Sequence, residues 1–300
     1  MSSKEVSEDH EDWDVDISAE MSSSLDRFHR FITDPTKCKT ILALVGAGLS
    51  AASGLPTFRG SGGYWRKYNS IDLATPDAFY SNPGLVWQFY AHRRHMALNA
   101  EPNDGHNALA KLSHVKGINF LTISQNVDGL SQRGGQDPQT LLEFHGSLFE
   151  LQCTEFSCSY VEKNNFEDPL TGSLDLQNFG SKNHPLPSLE IDQLPHCPRC
   201  RKGLLRPGVL WFGESLPLQA VDKADEFIVR NGVDLILVIG TSRTIWPAAS
   251  YVDIVKNQGG KIAIFNTERD ELESSEDCNS WQFIGDCAKT LPLALAPLIK

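Results

Sequence analysis

The sequence has no long apolar run. Its longest ones, such as ILALV at residues 41–45 and LILVI at residues 235–239, are five residues long. A membrane-spanning helix needs roughly 20 consecutive apolar residues, so no such helix is expected. The chain of 300 residues, 40% hydrophobic and 22% charged, has the composition of an ordinary globular protein with one large domain or two smaller ones.

The sequence also has no excess of basic residues, because its net charge is −11. Residues 1–20 hold eight acidic residues against a single lysine, so the remainder is only mildly acidic. Direct nucleic-acid binding is therefore not expected, since it depends on many phosphate contacts from lysine and arginine. Residues 1–21 are polar and lack hydrophobic periodicity, which predicts a disordered acidic tail.

Targeting signals are lacking as well. No apolar segment resembles a secretory signal, and the acid-rich start is unlike an arginine-rich mitochondrial presequence. Seven cysteines in such a chain favour the cytoplasm or nucleus, where disulfides are rare and paired cysteines indicate metal binding. No repeat or oligomerisation signal is visible, so a monomer without membrane attachment is expected.

Four apolar runs predict buried strands, at residues 41–45, 120–124, 235–239 and 262–265. They lack alternation, which is typical of parallel strands covered on both faces by helices. Helical patterns lie between several of them, and Leu25, Phe28 and Ile32 share one face of a further helix before the first strand. The expected fold is α/β, a Rossmann-like doubly wound parallel sheet formed by residues 22–150 and 209–300, with ligands at the carboxyl ends of its strands.

Four cysteines lie at the two ends of residues 151–208, a segment that interrupts this pattern. Cys153 and Cys158 form one pair, and Cys197 and Cys200 form the other. Such spacing predicts one tetrahedral zinc ion, and four thiolates leave no open position for catalysis, so the zinc would be structural. The polar stretch between the pairs lacks the apolar pattern of a core. We therefore expect a small zinc-binding module whose folding depends on the metal.

A glycine-rich turn follows the first strand, at Gly46-Ala47-Gly48 with Ala51 three residues later. This fits the dinucleotide-binding pattern, with a helix expected from Ser50 or Ala51 whose free N–H groups face a diphosphate. A plain structural turn is equally consistent with this motif. No Gly-Lys-Ser/Thr follows, which excludes a P-loop, and no clear acidic residue stands about 20 positions on, which disfavours an ordinary dehydrogenase.

His145 lies in EFHGSL, soon after the polar strand end SQNVDGL. A single histidine is more often structural than catalytic, so both roles stay open on these residues alone.

Taken together, the motifs resemble those of the sirtuins, the NAD-dependent protein-lysine deacylases. GAGLSAASGLPTFRG, SQNVDGL, EFHGSL, the two cysteine pairs, VLWFGE, GTS and FNTE occur in the order typical of that family, across residues 38–298. GGYWRKYNSIDLATPDAF and VWQFYAHRR are similar to the class III branch, which includes desuccinylases and demalonylases of mitochondria and bacteria. The resemblance therefore supports a mitochondrial location as an alternative.

The resemblance implies that NAD is a consumed co-substrate and that His145 is the general base, with Asn126 and Asp128 beside it in the catalytic site. The products would be nicotinamide, free lysine and O-acyl-ADP-ribose. Residues implied to bind NAD are Gly46, Ala47, Gly48, Ala51, Thr57, Phe58, Arg59, Gln125, Asn126, Asp128, Gly240, Thr241, Ser242, Asn266, Thr267, Glu268 and Cys287. One wall of the cleft for the acylated-lysine protein substrate would consist of Val209, Trp211, Phe212, Gly213 and Glu214.

The class III pattern also implies an acyl group with a distal carboxylate. Tyr90 and Arg93 have the spacing of its carboxylate-reading pair and lie on one helix face, and Ala74 would widen the pocket. Arg94, about 100° further round the helix, is expected to be solvated. One alternative is that Arg93 pairs with a surface acid. Another is that the protein is a histone deacetylase with little preference for acidic acyl groups. A dehydrogenase is disfavoured by the zinc module, and a non-enzymatic binding module by intact Asn126, Asp128 and His145.

Overall fold

The computed structural model describes residues 19–57, 63–181, 184–241, 250–269 and 280–300. Among these, no helix is both long and apolar enough to cross a membrane. The described helices are α1 (Ala19–Ile32), α2 (Gly48–Ala51), α3 (Ser70–Leu73), α4 (Pro76–Ser81), α5 (Pro83–Asn99), α6 (Asp104–Ser113), α7 (Leu130–Arg133), α8 (Leu218–Asn231), α9 (Ser250–Asn257) and α10 (Cys287–Leu295). The described strands are β1 (Thr40–Val45), β2 (Tyr64–Trp65), β3 (Tyr68–Asn69), β4 (Asn119–Ser124), β5 (Leu141–Glu143), β6 (Gly146–Cys153), β7 (Val161–Glu162), β8 (Leu205–Val209), β9 (Leu235–Ile239), β10 (Lys261–Asn266) and β11 (Ser280–Ile284).

Six parallel strands form the main sheet, in the order β11-β10-β9-β1-β4-β5. The chain first builds outward from β1 on one side and then returns to build outward from β9 on the other. This doubly wound order confirms the predicted fold class. It also places β1 beside β9, at the switch point where such sheets bind ligands.

The sheet is buried on both faces, as the unalternated apolar runs predict. In β9, Leu235, Leu237 and Ile239 pack into the core that contains α1, α6 and α10. Ile236 and Val238 point to the opposite face and pack with α8 and α9. All five side chains are fully buried, so each face of the strand is covered by helices.

Helix α1 packs against the edge strand β11 on one face of the sheet. Phe28 lies edge-on against Trp281 and against Phe283, with ring centroids 5.2 Å apart in each pair. The buried Phe28 and Ile32 confirm the predicted apolar face. The helix begins at Ala19, so it includes residues 19–21, the last three of the predicted acidic tail, and residues 1–18 lie outside the described part of the chain.

A second core joins helix α5 to the segment that carries the four cysteines. Trp87 of α5 donates its indole N–H to the carbonyl oxygen of Leu205, at 2.9 Å. Leu174, Phe179 and Leu194 are buried in the same cluster as Trp87. Residues 151–208 therefore bury part of their apolar side chains in a core shared with α5, while others, such as Phe156, Phe166 and Ile191, are exposed. The domain limits at residues 150 and 208 stay a prediction, and this core crosses them.

Arg94 is buried, so the prediction that it is solvated is wrong. Its guanidinium donates to the carbonyl oxygens of Leu148, Asn165 and Glu167 and to the side-chain oxygen of Asn165. Burial lowers the pKa of Arg94 to about 10. Nearby acidic residues, of which Asp168 has the largest effect, oppose this shift. The helical period gave the direction of this side chain correctly. It could not show that another part of the chain covers that side of α5.

Replacing Arg94 with methionine is expected to destabilise the fold by about 3 kcal/mol, because several buried acceptors lose their donor. Urea denaturation followed by tryptophan fluorescence measures this loss. Arg30→Met is the matched control, since Arg30 is exposed on α1 and its replacement should change stability by less than about 0.5 kcal/mol. Equal stability of the two variants would contradict a structural role for Arg94.

Candidate active site

The glycine-rich turn packs directly against the end of β9. The N–H of Gly46 donates to the carbonyl of Ile239 and that of Gly48 to the carbonyl of Gly240, each at 2.9 Å. A Cβ atom at Gly48 would lie 2.6 Å from the Cα of Gly240. One at Gly46 would lie 2.8 Å from the carbonyl oxygen of Gly240. Only glycine allows this approach, so the motif is needed to bring two strand ends together at the switch point.

Helix α2 begins at Gly48, earlier than predicted, and its first amide groups are already bonded. The N–H groups of Gly48, Leu49 and Ser50 donate to carbonyls of Gly240, Gly46 and Ala47. The expectation of free N–H groups is therefore wrong for these three. Ala47 is partly buried and Ala51 exposed. Thr57 is the last residue described before a gap, and Phe58, Arg59 and Ser242 lie outside the described residues.

Ser50 is the centre of a buried polar network that connects two predicted catalytic residues. Its hydroxyl donates to Asp128 Oδ2 at 2.7 Å. It accepts from the side-chain amide of Asn126 at 3.2 Å, and the same amide donates to the Gly46 carbonyl at 3.1 Å. Asp128 Oδ1 in turn accepts from the N–H of Leu130. Asn126 and Asp128 are thus held in fixed orientations beside the glycine turn.

His106 completes this network. Its Nδ1 accepts the backbone N–H of Asn103 at 3.2 Å, so the ring proton lies on Nε2, which faces the Ser50 hydroxyl at 3.4 Å. Burial lowers the pKa of His106 to about 4, despite the opposing charge of Asp128. The ring is therefore neutral at pH 7 and serves as a donor. Sequence reasoning missed Ser50 and His106. The signal available was Asn103, whose side chain caps α6 three residues before His106.

His145 lies between β5 and β6, next to the end of β4. Its Nδ1 is 3.0 Å from the carbonyl oxygen of Gln125. A carbonyl only accepts hydrogen bonds, so Nδ1 carries the proton and Nε2 is left as a basic nitrogen. The side chain of Gln125 accepts from the Thr241 hydroxyl at 3.0 Å, which connects this corner to the end of β9.

The predicted role of His145 as general base leads to an expected pH dependence, because burial lowers the pKa of His145 below the ordinary value. A general base works when deprotonated, so activity should persist to lower pH than a solvent-exposed histidine would allow. The acid limb of kcat/KM is expected to have its midpoint below about 6.5. Steady-state kinetics from pH 4.5 to 9 measures it, with tryptophan fluorescence confirming that the fold is intact. A midpoint above 6.5 would contradict this environment for His145.

Residues 209–214 connect His145 to the residues predicted to bind the acyl group. The N–H of Leu210 donates to the His145 carbonyl at 2.8 Å, and that of Phe212 to the Ala74 carbonyl at 2.9 Å. Between them, Trp211 donates its indole N–H to the Tyr90 hydroxyl at 2.9 Å. Ala74, Tyr90, Val209 and Trp211 are buried, Glu214 is partly buried, and Phe212 and Gly213 are exposed.

Arg93 lies on the same face of α5 as Tyr90. Its guanidinium carbon is 5.5 Å from the centroid of the Phe89 ring. Burial lowers the pKa of Arg93, while its electrostatic interactions with Tyr90 and Asp128 raise it. The side chain of Arg93 is therefore partly buried, with its guanidinium within electrostatic range of both a phenol and a predicted catalytic carboxylate.

Further residues predicted to bind NAD lie at the ends of β9 and β10. The Asn266 amide reaches the Thr241 carbonyl at 3.5 Å, and the N–H of Thr267 donates to Asn266 Oδ1 at 3.0 Å. Glu268 is exposed beside them. Cys287 is buried at the start of α10, donates to the Phe265 carbonyl, and has its pKa raised by burial to about 11.

The four paired cysteines come together as one cluster. Their sulfur atoms all lie within 4.8 Å of one another, at 3.6 Å between Cys153 and Cys200 and 3.8 Å between Cys158 and Cys197. A zinc ion with four thiolates at about 2.3 Å separates the sulfurs by about 3.8 Å. Backbone N–H groups of Glu155 and Gly203 point at two of the sulfurs and favour thiolates there. The cluster is therefore compatible with one structural zinc ion.

Replacing Cys200 with serine is expected to remove the zinc and unfold the cysteine-bearing segment, because metal binding contributes on the order of 10 kcal/mol to such modules. Metal analysis and thermal unfolding measure the two effects. Cys38→Ala is the matched control, since Cys38 is buried in the core beside the main sheet and far from the cluster in sequence. Cys200→Ser protein with one zinc per chain and unchanged stability would contradict the assignment.

Comparison with known proteins identifies one family model and several related sequences that agree with one another. The family model described as the Sir2 family matches residues 46–247. An NAD-dependent protein deacylase of Candida albicans is 50% identical over 307 residues, covering 93% of this chain and 99% of the relative. The mitochondrial NAD-dependent protein deacylase sirtuin-5 of Canis lupus familiaris is 41% identical, covering 93% and 87%.

Solved structures give the same result for the fold. A Sir2 homologue in complex with NAD has a TM-score of 0.72 at 34% identity, covering 92% of this chain and 93% of that one. A mutant Sir2 homologue in complex with 2′-O-acetyl ADP ribose also has a TM-score of 0.72 at 34% identity, covering 90% and 95%.

Proposed function

Because the chain belongs to the Sir2 family and is an NAD-dependent protein deacylase, we propose that it removes succinyl, malonyl and glutaryl groups from lysine side chains of proteins. The products in this proposal are nicotinamide, free lysine and O-acyl-ADP-ribose. His145, Asn126 and Asp128 act in catalysis, and Tyr90 and Arg93 bind the carboxylate at the end of the acyl chain.

The catalytic part of the proposal is supported by the protonation pattern. NAD supplies the ribose that accepts the acyl oxygen and the nicotinamide that leaves. Nε2 of His145 takes up the proton released from the ribose hydroxyls, and its pKa, lowered by burial, keeps it deprotonated at neutral pH. Ser50 and His106 hold Asn126 and Asp128 still, so that these side chains need not reorganise during the reaction.

One observation supports the acidic-acyl preference most directly. The indole N–H of Trp211 donates to the hydroxyl of Tyr90. The preceding residue, Leu210, donates its backbone N–H to the carbonyl of His145. The phenol and the neighbouring guanidinium of Arg93 are therefore located next to the segment that bears the catalytic base. A carboxylate entering this partly buried region gains charge-assisted hydrogen bonds from both groups. An acetyl group offers no such acceptor.

The test is a comparison of acyl groups on one peptide. Purified protein with NAD is assayed on the succinyl-, malonyl-, glutaryl- and acetyl-lysine forms of the same peptide, with nicotinamide release measured by chromatography. The expected result is a kcat/KM for the three acidic acyl groups at least about tenfold above that for acetyl, the equivalent of 1.4 kcal/mol. Equal or higher activity on acetyl-lysine would overturn the acidic-acyl preference and leave the deacylase itself intact.

A deacetylase is the second candidate, favoured by the similarity to a Sir2 homologue whose bound product carries an acetyl group. The same peptide panel decides between the two. The location is also open to a direct test. The relative from dog is named as mitochondrial, which fits the mitochondrial alternative for this chain. Imaging of the full chain fused at its C terminus to a fluorescent protein distinguishes mitochondria from the cytoplasm and nucleus.

A further inference from the structure

Trp211 makes more specific contacts than a residue that only lines one wall of the substrate cleft would need. Its ring is buried between Tyr90 and Phe79, with the Phe79 ring centroid at 5.3 Å. The guanidinium carbon of Arg206 also lies over the Trp211 ring, 3.4 Å from the ring centroid. This arrangement fixes the plane of the indole and therefore the direction of its N–H bond.

An ion pair holds Arg206 in place. Its two terminal nitrogens donate to the two oxygens of Glu214, at 2.6 and 2.9 Å. The same carboxylate accepts the backbone N–H of Trp211 at 2.8 Å. Arg206, Trp211 and Glu214 thus form a closed unit in which the salt bridge, the stacked ring and the backbone turn support one another. Burial raises the pKa of Glu214, but the bonds from Arg206 and Trp211 together outweigh burial and lower it, so the carboxylate is charged at neutral pH.

The hydrogen bond from Trp211 determines what the Tyr90 hydroxyl can do. Indole N–H is a donor without acceptor capacity, so the Tyr90 oxygen is the acceptor at 2.9 Å. The hydrogen of Tyr90 is then left to donate elsewhere. Accepting one bond also polarises the hydroxyl and strengthens the bond that it donates. A phenol held in this way is suited to bind an anion.

We propose that Trp211, held by the Arg206–Glu214 ion pair, is a specificity-determining residue that fixes the Tyr90 hydroxyl as a hydrogen-bond donor to the acyl carboxylate. This inference rests on the proposed preference for acidic acyl groups. Trp211 acts through Tyr90 as a positioning residue, while Arg93 supplies the opposite charge.

A double-mutant cycle tests this role. Trp211→Phe removes the indole N–H and retains an aromatic ring, and Tyr90→Phe removes the hydroxyl. For each of the four proteins, kcat/KM is measured on succinyl- and acetyl-lysine forms of one peptide. In the presence of Tyr90, Trp211→Phe is expected to lower the succinyl-to-acetyl ratio about threefold to tenfold, the range for one hydrogen bond. In the Tyr90→Phe background, it should lower the ratio by less than about 1.5-fold, within the usual error of such cycles.

The outcomes separate this inference from the function on which it rests. Wild-type protein without preference for succinyl-lysine would overturn the proposed acyl specificity. A wild-type preference together with an equal effect of Trp211→Phe in both backgrounds would overturn the role of Trp211 alone. Arg206→Lys provides a second variant, because lysine cannot make the bidentate pair with Glu214. A lowered ratio in Arg206→Lys that is abolished by Tyr90→Phe supports the inference, and an unchanged ratio contradicts the role of the ion pair.

Discussion

Replacing Arg93 with methionine is expected to lower kcat/KM for desuccinylation by about 100-fold to 1000-fold, the loss typical of truncating one partner of a buried charge pair. Methionine has similar length and no charge, so the acyl carboxylate would enter a partly buried site without a counter-charge. Deacetylation should fall far less, because an acetyl group does not use the guanidinium. Steady-state kinetics on matched succinyl- and acetyl-lysine peptides measures both values.

The adjacent arginine provides the control. Arg94→Met removes the same chemical group one residue later, from a site bonded to Leu148, Asn165 and Glu167. It should lower stability and the amount of folded protein, which affects both peptides equally and leaves the ratio of the two rates unchanged. An equal loss of both activities in Arg93→Met would exclude Arg93 as the carboxylate-binding residue.

Replacing His145 with alanine is expected to lower deacylation by about 100-fold to 10,000-fold, the contribution of a positioned general base. The loss should be the same for succinyl- and acetyl-lysine, because the proton transfer does not depend on the acyl group. Alanine removes the bond to the Gln125 carbonyl but introduces no group too large for the site. Thermal unfolding should therefore change by only a few degrees.

His196→Ala is the matched control for His145→Ala. His196 also bonds a backbone carbonyl through Nδ1, that of Leu194, but it lies in the cysteine-bearing segment, directly before Cys197. Its activity should stay within about threefold of wild type. Retained turnover in His145→Ala would assign the base to another group.

The sequence predicted those features that depend on local pattern. The unalternated strand at residues 235–239 indicated burial on both faces, and the glycines at 46 and 48 indicated close backbone contact. The burial of the strand is confirmed, because composition over a few residues determines it. The close contact of the two glycines with Gly240 is shown only by the structure. The four-cysteine cluster was predictable for a similar reason, since thiol spacing at each end of the segment restricts what can bind there.

The missed features depend on contacts between distant parts of the chain. Arg94 was assigned to solvent because its neighbours in sequence do not include Asn165, 71 positions away. The network around Ser50 includes His106 and Asp128, which follow Ser50 by 56 and 78 positions in the sequence. No single motif therefore contains all three residues. Helix periodicity gives the direction of a side chain, but only the folded chain shows what it meets.

Arg93 and Arg94 are consecutive but have different surroundings, so the function and folding of the protein depend on the number of residues that precede them in helix α5. One residue inserted before Arg93 would turn everything after it by about 100°. The guanidinium that is proposed to bind the acyl carboxylate would rotate away from Tyr90, and neither guanidinium would meet its present neighbours. Substitutions within α5 can therefore be tolerated one at a time, whereas an insertion or deletion upstream of the arginine pair would disturb selectivity and folding in a single event.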